Sequence, residues 1–572
     1  MTATVINKRF NSLFRASILF ICVFALIELA EYSIAGCFTN FHSLAAMQLV
    51  SPILTFLTFV SIMLTSGTMT LYSYAVSRAD RYEANGLYSQ GVIMCVVVGL
   101  IISFAMMVLP NFTAIWPPVT PEILDEAHNY LGGIIPRPLF YFLDYLLMGI
   151  LMTEGKNGLC IKSAIVQLIL NIVLGVILCR AWGIYGLSMA ATISVASSAL
   201  VKAKYLFDQD CPLKFRFCVK PRQICRSFGF GVYSALQPLM QTLMIIATTE
   251  YILQNFNADT LVIYSIVLKI TALGTSISDA VTEAMQPMVC VYHAEGNYVG
   301  VDKVMRRSMK SGLMAELCLM LALLISAPFL PELFGVTEAE MAYKTSYAVC
   351  LSLLGLPLFL FVHVNIYCYI YTERRQYALL LQPLLIFAAP VVSMTLLGTA
   401  LGESGLWLYL FVSCALVALV NFILTWFVSW KTNGVYKGIW LPNTKKMTRQ
   451  LAYDCIGTAA EVTKISRQAQ RDLAAWKVPP NKRNKAAVLI EDMGILSADN
   501  STTHAMPLEI TLTYEHDSLE LIVRSIGLSH DITDEDISPL SFRQYFLTQM
   551  VTAVDKENYL LMGKENRTVI KI

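Results

Sequence analysis

Twelve stretches of this chain are apolar for long enough to cross a bilayer, and nothing else in the sequence narrows the fold as much. They run at roughly residues 14–35, 44–71, 88–109, 129–153, 157–179, 184–206, 228–253, 260–286, 309–331, 345–371, 376–398 and 405–430. Over 572 residues, 56% are hydrophobic and only 14% charged, a balance no ordinary soluble domain has. The expected fold is an all-α polytopic membrane protein whose medium is the lipid bilayer. A formal net charge of +2 gives no reason to expect nucleic acid or a strongly acidic partner.

Basic residues gather in alternate connectors: Arg78 and Arg81; Lys156; Lys202, Lys204, Lys214, Arg216, Lys220, Arg222 and Arg226; Lys303, Arg306, Arg307 and Lys310; Arg374 and Arg375; Lys431 and Lys437. The connectors 110–127 and 331–342 carry no Lys or Arg. By the positive-inside rule the basic connectors and both termini are cytoplasmic, which places a multi-pass protein in the plasma or inner cell membrane. The longest basic connector, 207–227, separates a first six-helix lobe (1–206) from a second (228–443), the form of a duplicated transporter. The repeat is faint, and its best trace is the pair of polar exits from spans two and eight, "SRADRYEANG" (77–86) and "YHAEGNYVG" (292–300). Two glutamates precede the small-residue stretch "IAGC" (34–37), so the first apolar run is expected to be a retained helix and not a cleaved signal. Most of the fourteen cysteines lie in apolar runs and imply no disulfide framework. Cys211, Cys218 and Cys225 recur every seven residues, too open a spacing for a common structural zinc site.

After residue 443 the composition becomes that of a soluble domain. Leu451, Cys455, Ala459, Val462, Ile465, Ala469, Leu473 and Trp476 fall at helical spacing and predict an amphipathic helix over 448–476. A second helix starts near Pro480, 508–527 reads as a strand pair about a polar turn, and "YLLMG" and "RTVIKI" close the chain as an apolar pair. Residues 444–572 are thus expected to form a small cytoplasmic α+β domain.

No HExxH, GxxxxGK or GxSxG motif occurs, so transport without a catalytic centre is a simpler expectation than membrane-embedded catalysis. The informative residues are the polar ones inside spans: Glu28 and Glu31 in the first, Asp144 in the fourth, Asn171 in the fifth, Glu250 in the seventh, Lys269, Asp279 and Glu283 in the eighth, and His363 and Asn365 in the tenth. A charge at the bilayer centre costs at least about 2.5 kcal/mol, which favours a wet or protein-lined cavity over lipid. Glu28 and Glu31 share one helix face. Glu31 reads either as a substrate or cation carboxylate or as half of a static ion pair. Lys269 needs a carboxylate partner, Glu250 or a first-half glutamate, or else exchanges charge during a transport cycle. Asp144, Glu250, Asp279 and Glu283 are substrate or ion-pair candidates, with interfacial solvation an equal alternative for the last three.

At these residues the chain resembles the multidrug and toxic compound extrusion (MATE) transporters. "ELAEYSIAG" (28–36) is similar to that family's first-span motif, with Glu31 at the acidic position. Residues 66–91 resemble its second-span exit, 154–194 its fifth and sixth spans, and 284–304 its eighth-span exit. The resemblance covers about residues 10–430 and implies a twelve-helix, two-lobed antiporter that exports organic, often cationic, small molecules against an inward Na⁺ or H⁺ gradient. It implies a first-lobe coupling site of Glu31, Glu28 and Asn171, with Na⁺ at Glu31 and Asn171 as one form, and no cofactor beyond the coupling ion. The family's acid four places after the fifth-span Asn is Gly175 here, a gap that Glu28, one helical turn from Glu31, could fill. The tenth span carries no acid, which counts against a second-lobe cation site. The tail resembles, more weakly, the ATP-binding fold of histidine kinases and anti-sigma-factor kinases, through "LIEDMG" and "RSIG". Ile495 stands where that family places a magnesium-holding Asn, and Ser525 precedes Gly527 by two where an Asp is needed, so a degenerate module that regulates or binds a cytoplasmic protein is expected. A lipid-linked-precursor flippase and a transporter-derived sensor signalling through the tail are the alternatives.

Overall fold

The structure is a computed structural model that describes residues 4–39, 41–77, 81–108, 121–154, 156–207, 213–216, 220–336, 338–499, 507–515, 518–526, 550–551, 554–559 and 565–572. Most of the 110–127 connector, Cys211, Cys218, Gly527 and the run 560–563 lie outside these residues. In chain order the helices are α1 (Val5–Phe38), α2 (Phe41–Ser77), α3 (Arg81–Val108), α4 (Pro121–Ile134), α5 (Arg137–Thr153), α6 (Asn157–Ala203), α7 (Pro221–Asn255), α8 (Ala258–Ala294), α9 (Tyr298–Ser326), α10 (Leu330–Leu333), α11 (Ala339–Leu353), α12 (Leu356–Tyr371), α13 (Arg375–Pro383), α14 (Ala389–Leu401), α15 (Glu403–Leu406), α16 (Tyr409–Lys431), α17 (Thr444–Met447), α18 (Ala459–Ala475) and α19 (Pro480–Asp499).

Among the described residues eight helices are long and apolar enough to cross a membrane, or up to ten if the bent pairs α4–α5 and α11–α12 each count as one span. Two features account for the difference from the twelve expected. Spans five and six run together as α6, whose backbone leaves helical geometry at Trp182 and Gly183. The seventh falls in α7, where Gln237, Gln241, Thr242, Thr248 and Thr249 dilute the apolar run and which is not among the ten.

The repeat is plainer in the backbone than in the residues. Gly183 (φ 62°, ψ −145°) and Gly402 (φ 68°, ψ −150°) make the same turn, one within α6 and the other between α14 and α15. Only glycine adopts that region without strain. Three residues on, Gly186 and Gly405 each meet a carbonyl eight residues earlier, of Leu178 and of Leu397, where a Cβ would collide. The bends of 52° (α4–α5) and 40° (α11–α12) fall on the fourth and tenth expected spans. Broken helices at corresponding places in two halves are a frequent mark of a transporter's site.

The chain divides into two compact units, Ala16–Thr282 with Ser311–Phe422, and Met1–Arg15 with Glu283–Lys310 and Ile423–Ile572. In the first unit α2 and α7 cross at small residues: a Cβ on Gly67 would strike the Ser227 carbonyl, and one on Gly231 that of Met63. Close backbone approach through glycine replaces the hydrophobic drive that lipid cannot supply.

The second unit contains a five-stranded antiparallel sheet of order β1-β2-β3-β5-β4, formed by β1 (Gln450–Ile456), β2 (Pro507–Glu515), β3 (Ser518–Ile526), β4 (Val554–Tyr559) and β5 (Glu565–Lys571). The helix expected over 448–476 is corrected: its first part is the edge strand β1, and α18 begins at Ala459. Thr458 caps α18 by accepting from Glu461 N–H, and the Glu461 side chain accepts from Ile456 N–H at 2.7 Å, which ties the end of β1 to the first turn of α18 and sets the boundary. The strand pair at 508–527 and the helix from Pro480 are found as expected. Alternate residues of the sheet, Leu508, Ile510 and Leu512 on β2 and Leu519, Leu521 and Val523 on β3, pack with Val462, Ala469, Leu473, Leu489, Ile490 and Met493 of α18 and α19. The opposite face is polar and meets the α8–α9 turn. Tyr298 N–H donates to Gln450 Oε1 at 3.0 Å, and Asn297 Nδ2 to Thr511 Oγ1 at 3.2 Å.

Candidate coupling site in the membrane helices

Glu31 on α1 is 6% exposed, Asn171 on α6 is 1% exposed, and Asn171 Nδ2 donates to Glu31 Oε1 at 2.8 Å. The same amide group lies 3.5 Å from Ser194 Oγ. Ser194 reaches it because the break at Trp182–Gly183 turns the second arm of α6 back beside the first. Asn171 Oδ1 is buried without a hydrogen-bond partner. A carboxylate beside a spare amide oxygen is a hard acceptor pair that suits a proton or a small hard cation such as Na⁺. Among the described residues Glu31 makes no direct ion pair, although Arg137 at the start of α5 is near enough to act on it electrostatically. No cluster of three or more His, Cys, Asp or Glu that could hold a metal ion occurs among the described residues.

Glu28, one turn earlier, is engaged elsewhere. Lys269 Nζ of α8 lies 3.0 Å from its Oε2 and 4.7 Å from the centre of the Tyr32 ring. Of the two partners open to Lys269, the structure pairs it with the first-half glutamate. Glu250 is exposed on α7 and accepts from Gln254 at 3.1 Å. At Gly175 a Cβ would lie 3.0 Å from Ile34 Cδ1 and 3.5 Å from Leu187 Cδ1, so a larger side chain there needs Ile34 to give way.

Asp144 on α5 pairs with Lys202 of α6 at 2.8 Å, with the lysine side chain 0% and the aspartate side chain 7% exposed. Lys202 reads in the sequence as part of a cytoplasmic basic connector, but it is a fully buried member of α6. Asp279 on α8 lies 3.0 Å from His363 Nε2 on α12. Asn365, two residues on, spends its amide on the Phe361 carbonyl at 2.7 Å. Glu283 is half-buried and belongs to the unit that contains the sheet. Sequence reasoning missed Arg137 and Glu316. Glu316 on α9 is 0% exposed and neither carboxyl oxygen has a hydrogen-bond partner. A buried carboxyl without a hydrogen-bond partner is costly to keep in a fold. Its signal in the sequence was a lone Glu inside the apolar ninth run.

Residues 16–177 match the MatE family model. Among curated proteins none matches the chain. The chain is similar in structure to an inward-facing multidrug resistance MATE family transporter of the MOP superfamily, with 19% identity over 70% of this chain and 93% of the other and a TM-score of 0.63. It is similar to a MATE protein in complex with MaL6, with 18% identity over 74% and 96% and a TM-score of 0.64. It is also similar to a MOP superfamily transporter from Pyrococcus furiosus, with 18% identity over 74% and 97% and a TM-score of 0.63. These likenesses establish a multi-pass membrane protein with the fold of MATE transporters, and the family matched at 16–177 is one of transporters, not enzymes.

Proposed function

We propose that the protein is a secondary antiporter that exports organic, often cationic, small molecules in exchange for Na⁺ or H⁺, with Glu31 as the coupling carboxylate. The observation that carries this reading is the buried Glu31–Asn171 hydrogen bond with its spare acceptor, set in helices of MATE fold. In the occupied state a proton or Na⁺ sits on Glu31, and Asn171 contributes its free oxygen to the ion or its N–H to the carboxylate. When the ion leaves, the charge on Glu31 faces Arg137, and this change of field is what substrate binding can couple to. The Glu28–Lys269 pair joins α1 of the first half to α8 of the second, so any separation of the halves exchanges it for solvent or substrate charge. The comparison protein bound to MaL6 is consistent with a small-molecule substrate.

The tail is proposed to be a degenerate nucleotide-binding module with a regulatory role and no ATP turnover. In it Glu491 accepts from Thr463 at 3.0 Å, and Ile495 offers no oxygen to Mg²⁺. The test of the antiporter reading is export from proteoliposomes with a Na⁺ or a pH gradient imposed in turn and a panel of organic cations inside. Uphill export under one gradient supports the reading, and downhill leakage alone under both sinks it.

A further inference from the structure

Asp279 sits near the middle of the 259–293 apolar stretch of α8, yet its side chain is 40% exposed. Ala272, Thr275 and Asp279 form a partly exposed strip on that helix, while residues 276–278 and 280–282 are buried. Both ends of the stretch are many helical turns away, so this short side chain has no surface to snorkel to. A carboxylate is expensive in lipid at that depth, which makes the open strip the wall of a wet space inside the protein.

One basic group faces the carboxylate. His363 of α12 brings Nε2 within 3.0 Å of Asp279 Oδ1, but Nε2 makes no hydrogen bond, so the carboxylate keeps its capacity for another cation. Among the described residues no Lys or Arg is paired with Asp279. Phe359, His363, Tyr367 and Tyr371 follow one another a turn apart on α12, with successive ring centres 5.1, 4.7 and 5.7 Å apart. Neighbouring helices hold this run of rings in place. Tyr367 OH donates to Gln237 Oε1 of α7 at 2.6 Å, and Tyr371 OH donates to the Thr282 carbonyl of α8 at 3.3 Å. Tyr367, Tyr371 and Gln237 are each half-buried, and Gln241, one turn further along α7, is exposed. The tenth expected span has no acid of its own, and α8 supplies one to the face that α12 lines with rings.

We propose that Asp279 and the Tyr367–Tyr371 face of α12 form a binding subsite for flat aromatic cations, with the charge on Asp279 and the ring system against the tyrosines. A carboxylate alone takes any cation, and rings alone take any flat apolar molecule. Together they favour a ligand that carries both, through charge pairing and cation–π contact in a partly desolvated place. The hydrogen bonds at both tyrosine hydroxyls orient the rings beforehand, which lowers the entropy lost on binding. The subsite rests on the antiporter reading for its purpose: it holds the cargo, while Glu31 carries the coupling ion.

The test is equilibrium binding by the full-length protein in lipid nanodiscs, read as ethidium fluorescence anisotropy against empty nanodiscs. Ethidium carries charge and flat rings, tetramethylammonium the charge alone, and phenanthridine the rings alone. The native protein should bind ethidium saturably and at least about tenfold more tightly than either fragment, measured by displacement. Asp279→Asn should weaken ethidium about tenfold and leave phenanthridine within about twofold. Tyr367→Ala should weaken ethidium about threefold to tenfold, whereas Tyr367→Phe, which keeps the ring and gives up only the bond to Gln237, should stay within about twofold. Glu250→Gln, at an exposed carboxylate on α7, should bind ethidium as the native protein does. Melting temperatures separate lost affinity from lost folding, and if Asp279→Asn does not fold, the two Tyr367 variants decide alone. Native affinity in a folded Asp279→Asn protein, equal losses in Tyr367→Phe and Tyr367→Ala, or no saturable ethidium binding by the native protein would overturn the subsite. Binding needs no gradient, so a protein that binds ethidium at Asp279 yet never exports uphill counts against the antiporter reading and not against the subsite.

Discussion

Replacing Glu31 by Gln separates a coupling carboxylate from a structural one. The Asn171 amide donates to Glu31 Oε1 at 2.8 Å, and a glutamine presents a carbonyl oxygen at the same reach. Its NH₂ takes the place of the second carboxylate oxygen, so size and polarity are kept. What is lost is the charge assistance of one hydrogen bond, about 1 kcal/mol, the difference between charged and neutral hydrogen bonds. Glu31→Ala is different, because it strands the Asn171 amide at 1% exposure and costs about 1–3 kcal/mol before any cavity is counted. Were Glu31 half of a tight ion pair, Gln would instead cost about 3–5 kcal/mol by leaving a buried cation unpaired. The expected order of detergent melting temperature is therefore native close to Gln, with Ala lower. Gradient-driven uphill export should be lost in both variants. Export measured beside melting temperature decides the matter: a stable Glu31→Gln protein that still exports uphill refutes the coupling role, and a Gln variant as unstable as Ala refutes the geometry.

Four further outcomes follow from named contacts. Lys202→Met should destabilise by about 3–5 kcal/mol in chemical denaturation by stranding Asp144, whereas Lys202→Met with Asp144→Leu should recover most of it; a double variant no better than the single would refute the pair. Glu316→Gln should leave the melting temperature unchanged or higher, because neither carboxyl oxygen has a hydrogen bond to lose, and a fall of several degrees would show that the side chain is bonded. Gly183→Ala and Gly402→Ala should each cost about 1–3 kcal/mol, by nearly equal amounts, since the two turns share one backbone geometry; a cost at one site alone would break the equivalence. The full-length protein should show no magnesium-dependent ATP turnover that Glu491→Gln removes, and such activity would show the tail to be an intact ATPase.

By itself the sequence determined what depends on local runs. Apolar stretches of spanning length place the helices because an unpaired backbone cannot sit in lipid, and alternation in "LEITLTYEHDSLELIVRSIG" places β2 and β3 with their apolar faces inward. It also picked out Glu31 and Asn171, since a polar residue in an apolar run stands out however the chain folds. Pairing needed the tertiary structure. Glu31 meets Asn171 across 140 residues and Glu28 meets Lys269 across 241, and periodicity carries no information at such separations. That is why Glu28 looked able to replace the acid missing at Gly175 yet spends its charge on α8, and why Lys202 looked like a cytoplasmic cation yet lies buried against Asp144. The strand β1 was hidden because Leu451 and Cys455 fit a helical period as well as a strand's, and only pairing with β2 decides between them. The polar face of the sheet was legible as alternation, but Glu509 and Arg524 became buried charges only when the α8–α9 turn covered them, because burial belongs to the assembled fold and not to any one strand.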